Sequence, residues 1–488
     1  MKTIYPFMGL ALCGAAAQAQ EKPNFLIIQC DHLTQRVVGA YGQTQGCTLP
    51  IDEVASRGVI FSNAYVGCPL SQPSRAALWS GMMPHQTNVR SNSSEPVNPR
   101  LPENVPTLGS LFSESGYEAV HFGKTHDMGS LRGFKHKEPV AKPFTDPEFP
   151  VNNDSFLDVG TCEDAVAYLS NPPEEPFICI ADFQNPHNIC GFVGANEGVH
   201  TDRPISGTLP ELPANFDVED WSNIPKPVQY ICCSHRRMTQ ASHWNEENYR
   251  HYIAAFQHYT KMVSKQVDSV LKALYSTPAG KNTIVIIMAD HGDGMASHRM
   301  VTKHISFYDE MTNVPFIFAG PGIKQQKKPI DQVLTQPTLD LLPTLCDLAG
   351  IPVPAEKPGI SLAPILKGEK QKKTHPYVVS EWHSEYEYVV TPGRMVRGPR
   401  YKYTHYLEGN GEELYDMKKD PGERKNLAKD PKYSKVLAEH RAMLDDYIAR
   451  TKDDYRSLKV DADPRCRNHT PGYPNHEGPG VREILKRK

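Results

Sequence analysis

The sequence predicts an α/β protein: a large, mostly parallel sheet sandwiched by helices, with a smaller C-terminal α+β subdomain. Two observations predict it. Four short apolar runs, 24–30 (NFLIIQC), 176–183 (PFICIADF), 283–289 (TIVIIMA) and 314–319 (VPFIFA), have the length and Ile, Val and Phe content of strands buried on both faces. Helical patterns lie between them. Residues 106–116 begin with Pro and end with Gly, and residues 247–275 repeat apolar side chains at helical spacing, among them Tyr252, Phe256, Tyr259, Val263, Val267 and Leu271. Buried strands alternating with helices pack as a parallel sheet covered on both faces.

From about residue 388 the texture changes. Short strand-like pieces at 388–390, 394–396, 401–406 and 413–415 are separated by Gly and Pro turns, and a last helix is expected over 434–451. The expected organisation is an N-terminal export signal at 1–19, a catalytic domain at 20–385, the α+β subdomain at 386–455 and an extended tail at 456–488. The signal is read from one Lys, a short apolar run and the small-x-small triplet Ala17-Gln18-Ala19. No other stretch approaches the roughly 18 apolar residues of a membrane span.

The 488 residues carry a formal net charge of -3, with 39% hydrophobic and 22% charged side chains. That composition supports a sizeable core and gives no sign of a nucleic-acid partner. The 11 cysteines form neither a small-domain disulfide framework nor a paired CxxC metal pattern. Cys30, Cys179 and Cys346 lie in or beside apolar segments and are expected in the core.

Three of the apolar runs lead into polar residues of catalytic type. The first runs into Asp31-His32, the second into Gln184-Asn185-Pro186-His187, and the third into Asp290-His291-Gly292-Asp293. In parallel sheets, sites gather beyond the carboxyl ends of the strands. The segment VGCPLSQPSRAALWSG at 66–81 adds a choice between a thiol, Cys68, and a hydroxyl, Ser71. Cysteine is the better intrinsic nucleophile. Pro73 and Ser74 suit a helix start, which would put Ser71 near a positive helix N-terminus.

Ser71-Gln72-Pro73-Ser74-Arg75, ending in Ser80-Gly81, resembles the signature of the formylglycine-dependent sulfatases, whose fold is alkaline-phosphatase-like. In that register Ser71 is the modified position (3-oxoalanine), and Cys68 lies too early. Other elements resemble the family in the same order: Asp31 after the first strand, Gly123-Lys124-Thr125-His126, Asn185-Pro186-His187, Asp290-His291-Gly292, Lys303 and the closing DPGERKNL. The resemblance spans roughly residues 22–455.

It implies sulfate hydrolysis at a hydrated formylglycine. Arg75, Lys124 and Lys303 would stabilise charge on the transferring group, His187 with Lys303 would protonate the leaving group, and His126 would take the proton that lets sulfate depart. A divalent metal, Ca²⁺ by family habit, would be held by Asp31, His32, Asp290, His291 and residue 71. The His residues depart from the oxygen ligands Ca²⁺ prefers. Either they ligate, and Mn²⁺ or Zn²⁺ fits better, or His32 only flanks the site. His298 and Arg299 are expected at the mouth of the sulfate pocket, and His383 and Cys190 near the sugar.

The stretch 185–191 and the segment around His383 resemble heparan N-sulfatases (sulfamidases). This leans the substrate towards a glycosaminoglycan, with sulfate on glucosamine nitrogen or oxygen. The implied partners are a sulfated saccharide and a formylglycine-generating maturase. The alternatives are a phosphonate or phosphate ester hydrolase on the same fold, and a sugar-binding homologue whose serine is never matured.

Overall fold

The structure is a computed structural model that describes residues 22–43, 46–143, 155–195, 207–225, 227–228, 241, 244–303, 306–384, 392–407, 409 and 411–459. The signal, the strand expected at 388–390 and the tail from residue 460 onward lie outside the described residues, as do His235, Arg236, Arg237 and His243.

The strands are β1 (Asn24–Cys30), β2 (Val59–Ile60), β3 (Glu118–Gly123), β4 (Lys135–Lys137), β5 (Lys142–Pro143), β6 (Ser155–Phe156), β7 (Phe177–Phe183), β8 (Thr283–Met288), β9 (Phe316–Ala319), β10 (Val378–Trp382), β11 (Gly393–Arg397), β12 (Tyr401–Tyr406) and β13 (Gly411–Asp416). Among the described residues, the larger sheet has the order β2-β9-β8-β1-β7-β3-β4. β8, β1, β7, β3 and β4 run parallel. β9 is antiparallel to β8, and β2 to β9. The fourth apolar run thus departs from a purely parallel sheet. Among the described residues, the chain between β8 and β9 holds loops and short helical turns but no long crossover helix to carry it back across the sheet.

β1 shows why these runs form the centre of the sheet. Its alternate residues enter different cores: Leu26, Ile28 and Cys30 face one, Phe25 and Ile27 the other. The first core is covered by the helices Leu157–Ser170 and Glu246–Tyr275, which contribute Ala165, Leu169, Tyr252, Phe256 and Val263. The second is covered by Ser71–Ser80, Leu108–Glu114 and Pro337–Ala349, through Leu78, Trp79, Phe112, Leu341 and Leu345. Cys30 and Cys179 lie in the first core and Cys346 in the second, as small apolar residues. The helix expected at 106–116 is shorter, because Thr107 caps it through the Ser110 N–H. The long helix begins one residue earlier than expected, where Asn245 and Asn248 cap each other. Among the described residues, no helix is long and apolar enough to cross a membrane.

The smaller sheet is antiparallel, in the order β10-β11-β12-β13. It packs Val379, Val396, Tyr403 and Leu414 against Leu437, Leu444 and Tyr447 of the helix Ser434–Thr451. β10 belongs to this sheet, although its residues fall inside the stretch expected to form the larger domain. Its apolar side chains match a half-buried antiparallel strand as well as a parallel one, and pairing with β11 decides the matter.

A buried ionic cluster ties the short helix Pro84–Thr87 to the smaller sheet. His85 Nδ1 lies 2.6 Å from Glu381 Oε1, and the Tyr447 hydroxyl donates to the same oxygen at 2.6 Å. Arg394 is paired with Asp453 through Nε at 2.7 Å and Nη2 at 2.9 Å. Burial disfavours charge on both His85 and Glu381. Even so, Glu381 raises the His85 pKa, while His85 and Arg394 hold the Glu381 carboxyl down at about 2. The ionic contribution of His85 is fully present below its unfolded pKa of about 6.5 and is lost as pH rises through the higher folded value. His85→Ala should therefore cost about 3 kcal/mol at pH near 6. Urea unfolding of both proteins should show that gap narrowing at alkaline pH, and a pH-independent gap would contradict the assignment.

Candidate active site

Ser71 is the first residue of the helix Ser71–Ser80 and is completely buried. Its Oγ lies 2.8 Å from His291 Nε2, 2.9 Å from Lys303 Nζ and 3.3 Å from each oxygen of Asp31. Cys68 is buried as well, and burial pushes its thiol pKa up, away from the nucleophilic thiolate.

Arg75 sits one turn further along this helix, with no solvent exposure. Its guanidinium donates from Nε to Asp290 at 2.8 Å and from Nη1 to Asp182 at 2.6 Å, and Nη2 lies 3.5 Å from Asp31. Asp31 follows β1, Asp182 is the penultimate residue of β7, and Asp290 follows β8. These strands are parallel neighbours, so their ends bring the three carboxylates to one edge. Lys124 pairs with Asp31 from the end of β3. Burial pushes the Asp31 carboxyl up, but Lys124, His187, Lys303 and Arg75 together hold it well below the usual range.

One histidine has its tautomer fixed by a backbone carbonyl, and a second faces a carboxylate. His291 Nδ1 donates to the Gly292 carbonyl at 2.8 Å, which leaves Nε2 as the acceptor facing Ser71. His32 Nδ1 faces Asp293 at 3.2 Å. Its ring lies 4.5 Å from that of His291 and 4.7 Å from that of His187, centre to centre. Asp31, His32 and His291 each offer a ligand atom, and these atoms lie within 4.8 Å of one another.

Burial, with Lys124, Lys303 and Arg75, presses the His126 pKa down to about 3. Burial, then Lys124 and Lys303, holds His187 well below its ordinary value. Asp158, at the start of the helix Leu157–Ser170, fixes the His187 loop by accepting from Gln184 N at 2.6 Å and from Asn185 N at 2.9 Å.

The loop after β8 is strained. Met295, Ala296, His298, Arg299 and Thr302 all have positive φ, between 44° and 65°. Backbone bonds lock it, including Gly294 N to Thr302 O at 2.9 Å and Ala296 N to Met300 O at 2.9 Å. The outcome is to return Lys303 to Ser71.

Two residues expected at the pocket mouth are held elsewhere. Arg299 forms a two-point pair with Asp217, at 2.7 and 2.6 Å, over the Phe216 ring. His298 is buried, stacked 3.7 Å from Tyr308 and 3.2 Å from the Glu423 carbonyl. Both have the character of packing residues, because the positive-φ turn aims them at the 215–217 segment and the C-terminal portion. Cys190 offers its sulfur near His32 and His187. His383 lines a small cavity with Cys68, His85, Arg90 and Arg394. Asp182 and Tyr252 were not singled out as site residues from sequence, and Asp293 was noted only as part of the polar run after the third strand. The available signal for Asp182 was a carboxylate within an otherwise apolar strand.

The family profile described as Sulfatase matches residues 23–351, and one described as N-sulphoglucosamine sulphohydrolase, C-terminal, matches 296–450. The chain belongs to the sulfatase family and is a sulfuric ester hydrolase. It is 95% identical, over 99% of its length and 100% of the relative's, to a protein of Bacteroides thetaiotaomicron named Delta 4,5-hexuronate-2-O-sulfatase. A solved structure described as a 2-O GAG sulfatase superposes with a TM-score of 0.90 at 94% identity, covering 95% of this chain and 100% of that one. A phosphonate monoester hydrolase of Agrobacterium radiobacter has a TM-score of 0.71 at 21% identity, covering 89% of this chain and 97% of that one, and shares the fold.

Asp182→Ala would remove the nearest acceptor of a guanidinium that water cannot reach. The expected cost is about 3–5 kcal/mol in urea unfolding, because the remaining charge stays buried. Unchanged stability would contradict this account of Arg75.

Proposed function

We propose that the chain removes the 2-O-sulfate from an unsaturated hexuronate of glycosaminoglycan fragments, through residue 71 after its conversion to formylglycine. The observation that carries the reaction is the convergence of Lys303, His291 and Asp31 on Ser71 Oγ at 2.9, 2.8 and 3.3 Å. The uronate is carried over from the name of the 95% identical relative. It replaces the glucosamine sulfate to which the sequence leaned. Export through residues 1–19, and maturation of Ser71 by a formylglycine-generating enzyme that accepts serine, belong to the same proposal.

A hydrated aldehyde at position 71 supplies two hydroxyls on one carbon, one to attack sulfur and one whose deprotonation lets sulfate leave. Lys124 and Lys303 face the transferring group and stabilise its charge. Arg75 donates to the Asp290 and Asp182 carboxylates and to the Lys124 carbonyl and lies 3.5 Å from Asp31, so it acts by fixing these groups. His126 is neutral at neutral pH, as a base for the second hydroxyl must be. His187 and Lys303 would serve the leaving oxygen as its proton source.

Asp31, His32, Asp290 and His291, with the oxygen at 71, fit a divalent cation. The acceptor lone pair of His291 Nε2 and the unpartnered, buried His32 Nε2 support that fit. A cation there supplies positive charge that lowers the pKa of the hydroxyl at 71 and offsets sulfate charge. Ca²⁺ takes oxygen ligands, and two imidazole nitrogens move the proposal towards Mn²⁺ or Zn²⁺.

The test is free sulfate measured from defined disaccharides: an unsaturated uronate 2-O-sulfate, a glucosamine 6-O-sulfate and a glucosamine N-sulfate, beside an aryl phosphate diester. Release from the uronate alone is expected. Release from glucosamine but not uronate, or robust diester cleavage without sulfate release, overturns the proposal. On the uronate substrate, Lys303→Ala should lose about 10²-fold or more in kcat.

A further inference from the structure

We propose that Asp293 is a positioning residue that holds His32 in the tautomer able to ligate a cation, with Tyr252 anchoring Asp293. The inference rests on the cation reading above and assigns a task to two residues that the reading leaves unused.

Two backbone N–H groups and a hydroxyl set the direction of the hydrogen bonds around Asp293. The Thr302 N–H donates to the Tyr252 hydroxyl oxygen at 2.7 Å. That hydroxyl in turn donates to Asp293 Oδ1. The Met295 N–H donates to the same Oδ1 at 2.9 Å. The second oxygen, Oδ2, faces His32 Nδ1 at 3.2 Å. An ionised carboxylate only accepts, so Nδ1 must carry the ring hydrogen. The lone pair of His32 is then on Nε2. This atom is buried, has no hydrogen-bond partner among the described residues, and lies 3.8 Å from Asp31 Oδ1. That is too far for a direct bond and leaves room for a shared ligand. His32 itself has φ +72°, so its backbone is held in a costly conformation that gives the ring this aim. A carboxylate behind a ligating imidazole fixes both ring orientation and basicity.

Asp293→Asn separates tautomer control from simple packing. Two donors already address Oδ1, so the asparagine carbonyl must sit there. Its NH₂ then faces His32 Nδ1, which has to become the acceptor, and the ring hydrogen moves to Nε2. The shape is kept and the lone pair is lost.

The experiment is titration of the matured full-length protein with Co²⁺ alone, by calorimetry and by its visible d–d absorption. Asp293→Asn is expected to weaken Co²⁺ binding by about 10–100-fold and to change the d–d bands as a nitrogen ligand is lost. Tyr252→Phe, which keeps the Met295 contact, should show a smaller loss in the same direction. In a His32→Ala background, Asp293→Asn should cause no further loss. Three results overturn the proposal: unchanged affinity in Asp293→Asn, unchanged affinity and spectrum in His32→Ala, or an equal loss from Asp293→Asn with and without His32. Failure of the wild-type protein to bind Co²⁺ sinks the cation site itself, and the proposal with it.

Discussion

One buried guanidinium organises this molecule's chemistry. Arg75 donates to Asp290 and Asp182 and approaches Asp31 without any contact with water. A lone charge there would cost several kcal/mol, and so would each carboxylate. In this set Arg75 and Lys124, the latter paired with Asp31, together offset two of the three carboxylate charges. The set exists only if three parallel strands end at one edge and the helix carrying Arg75 points into it. The requirement runs in both directions. The sheet order places the carboxylates, and the helix Ser71–Ser80, which buries Trp79 and Leu78 in the second core, places Arg75 and Ser71 among them.

Rigidity around this set has a chemical purpose. Lys303 returns to Ser71 through a loop with several residues at positive φ, held by its own backbone bonds. Strain of that kind persists where the surroundings over-determine it. It places a long, mobile lysine side chain 2.9 Å from one oxygen. The His85–Glu381 pair pins the short helix Pro84–Thr87, just beyond the Arg75 helix, to the smaller sheet, and the Arg394–Asp453 pair ties that sheet to the residues after the last helix.

Much of this was legible in the sequence. β1, β7 and β8 could be read because strands buried on both faces are nearly continuous in Ile, Val and Phe. The site was legible because three of those runs end in Asp or His. The position of Ser71 came from register, against the greater intrinsic reactivity of Cys68. Asp182 was missed because it lies inside its strand rather than after it, so the rule about strand ends passed over it. The direction of β9 was not legible, since an apolar run of four to six residues carries no sign of orientation. His298 and Arg299 were expected at the pocket from their closeness to Asp290 in sequence. Their partners Glu423 and Asp217 lie far off along the chain, and sequence does not display such pairings. Asp293 and Tyr252 lie 41 residues apart and meet only through the packing of the long helix on the sheet.

The central claim is that position 71, and not the neighbouring thiol, is the reacting centre. Mass spectrometry of the tryptic peptide ending at Arg75, from protein made with its maturase and active on sulfate, measures this directly. The account predicts a peptide about two mass units lighter than the serine form, with the loss localised to residue 71. An active protein whose residue 71 is entirely serine would contradict it.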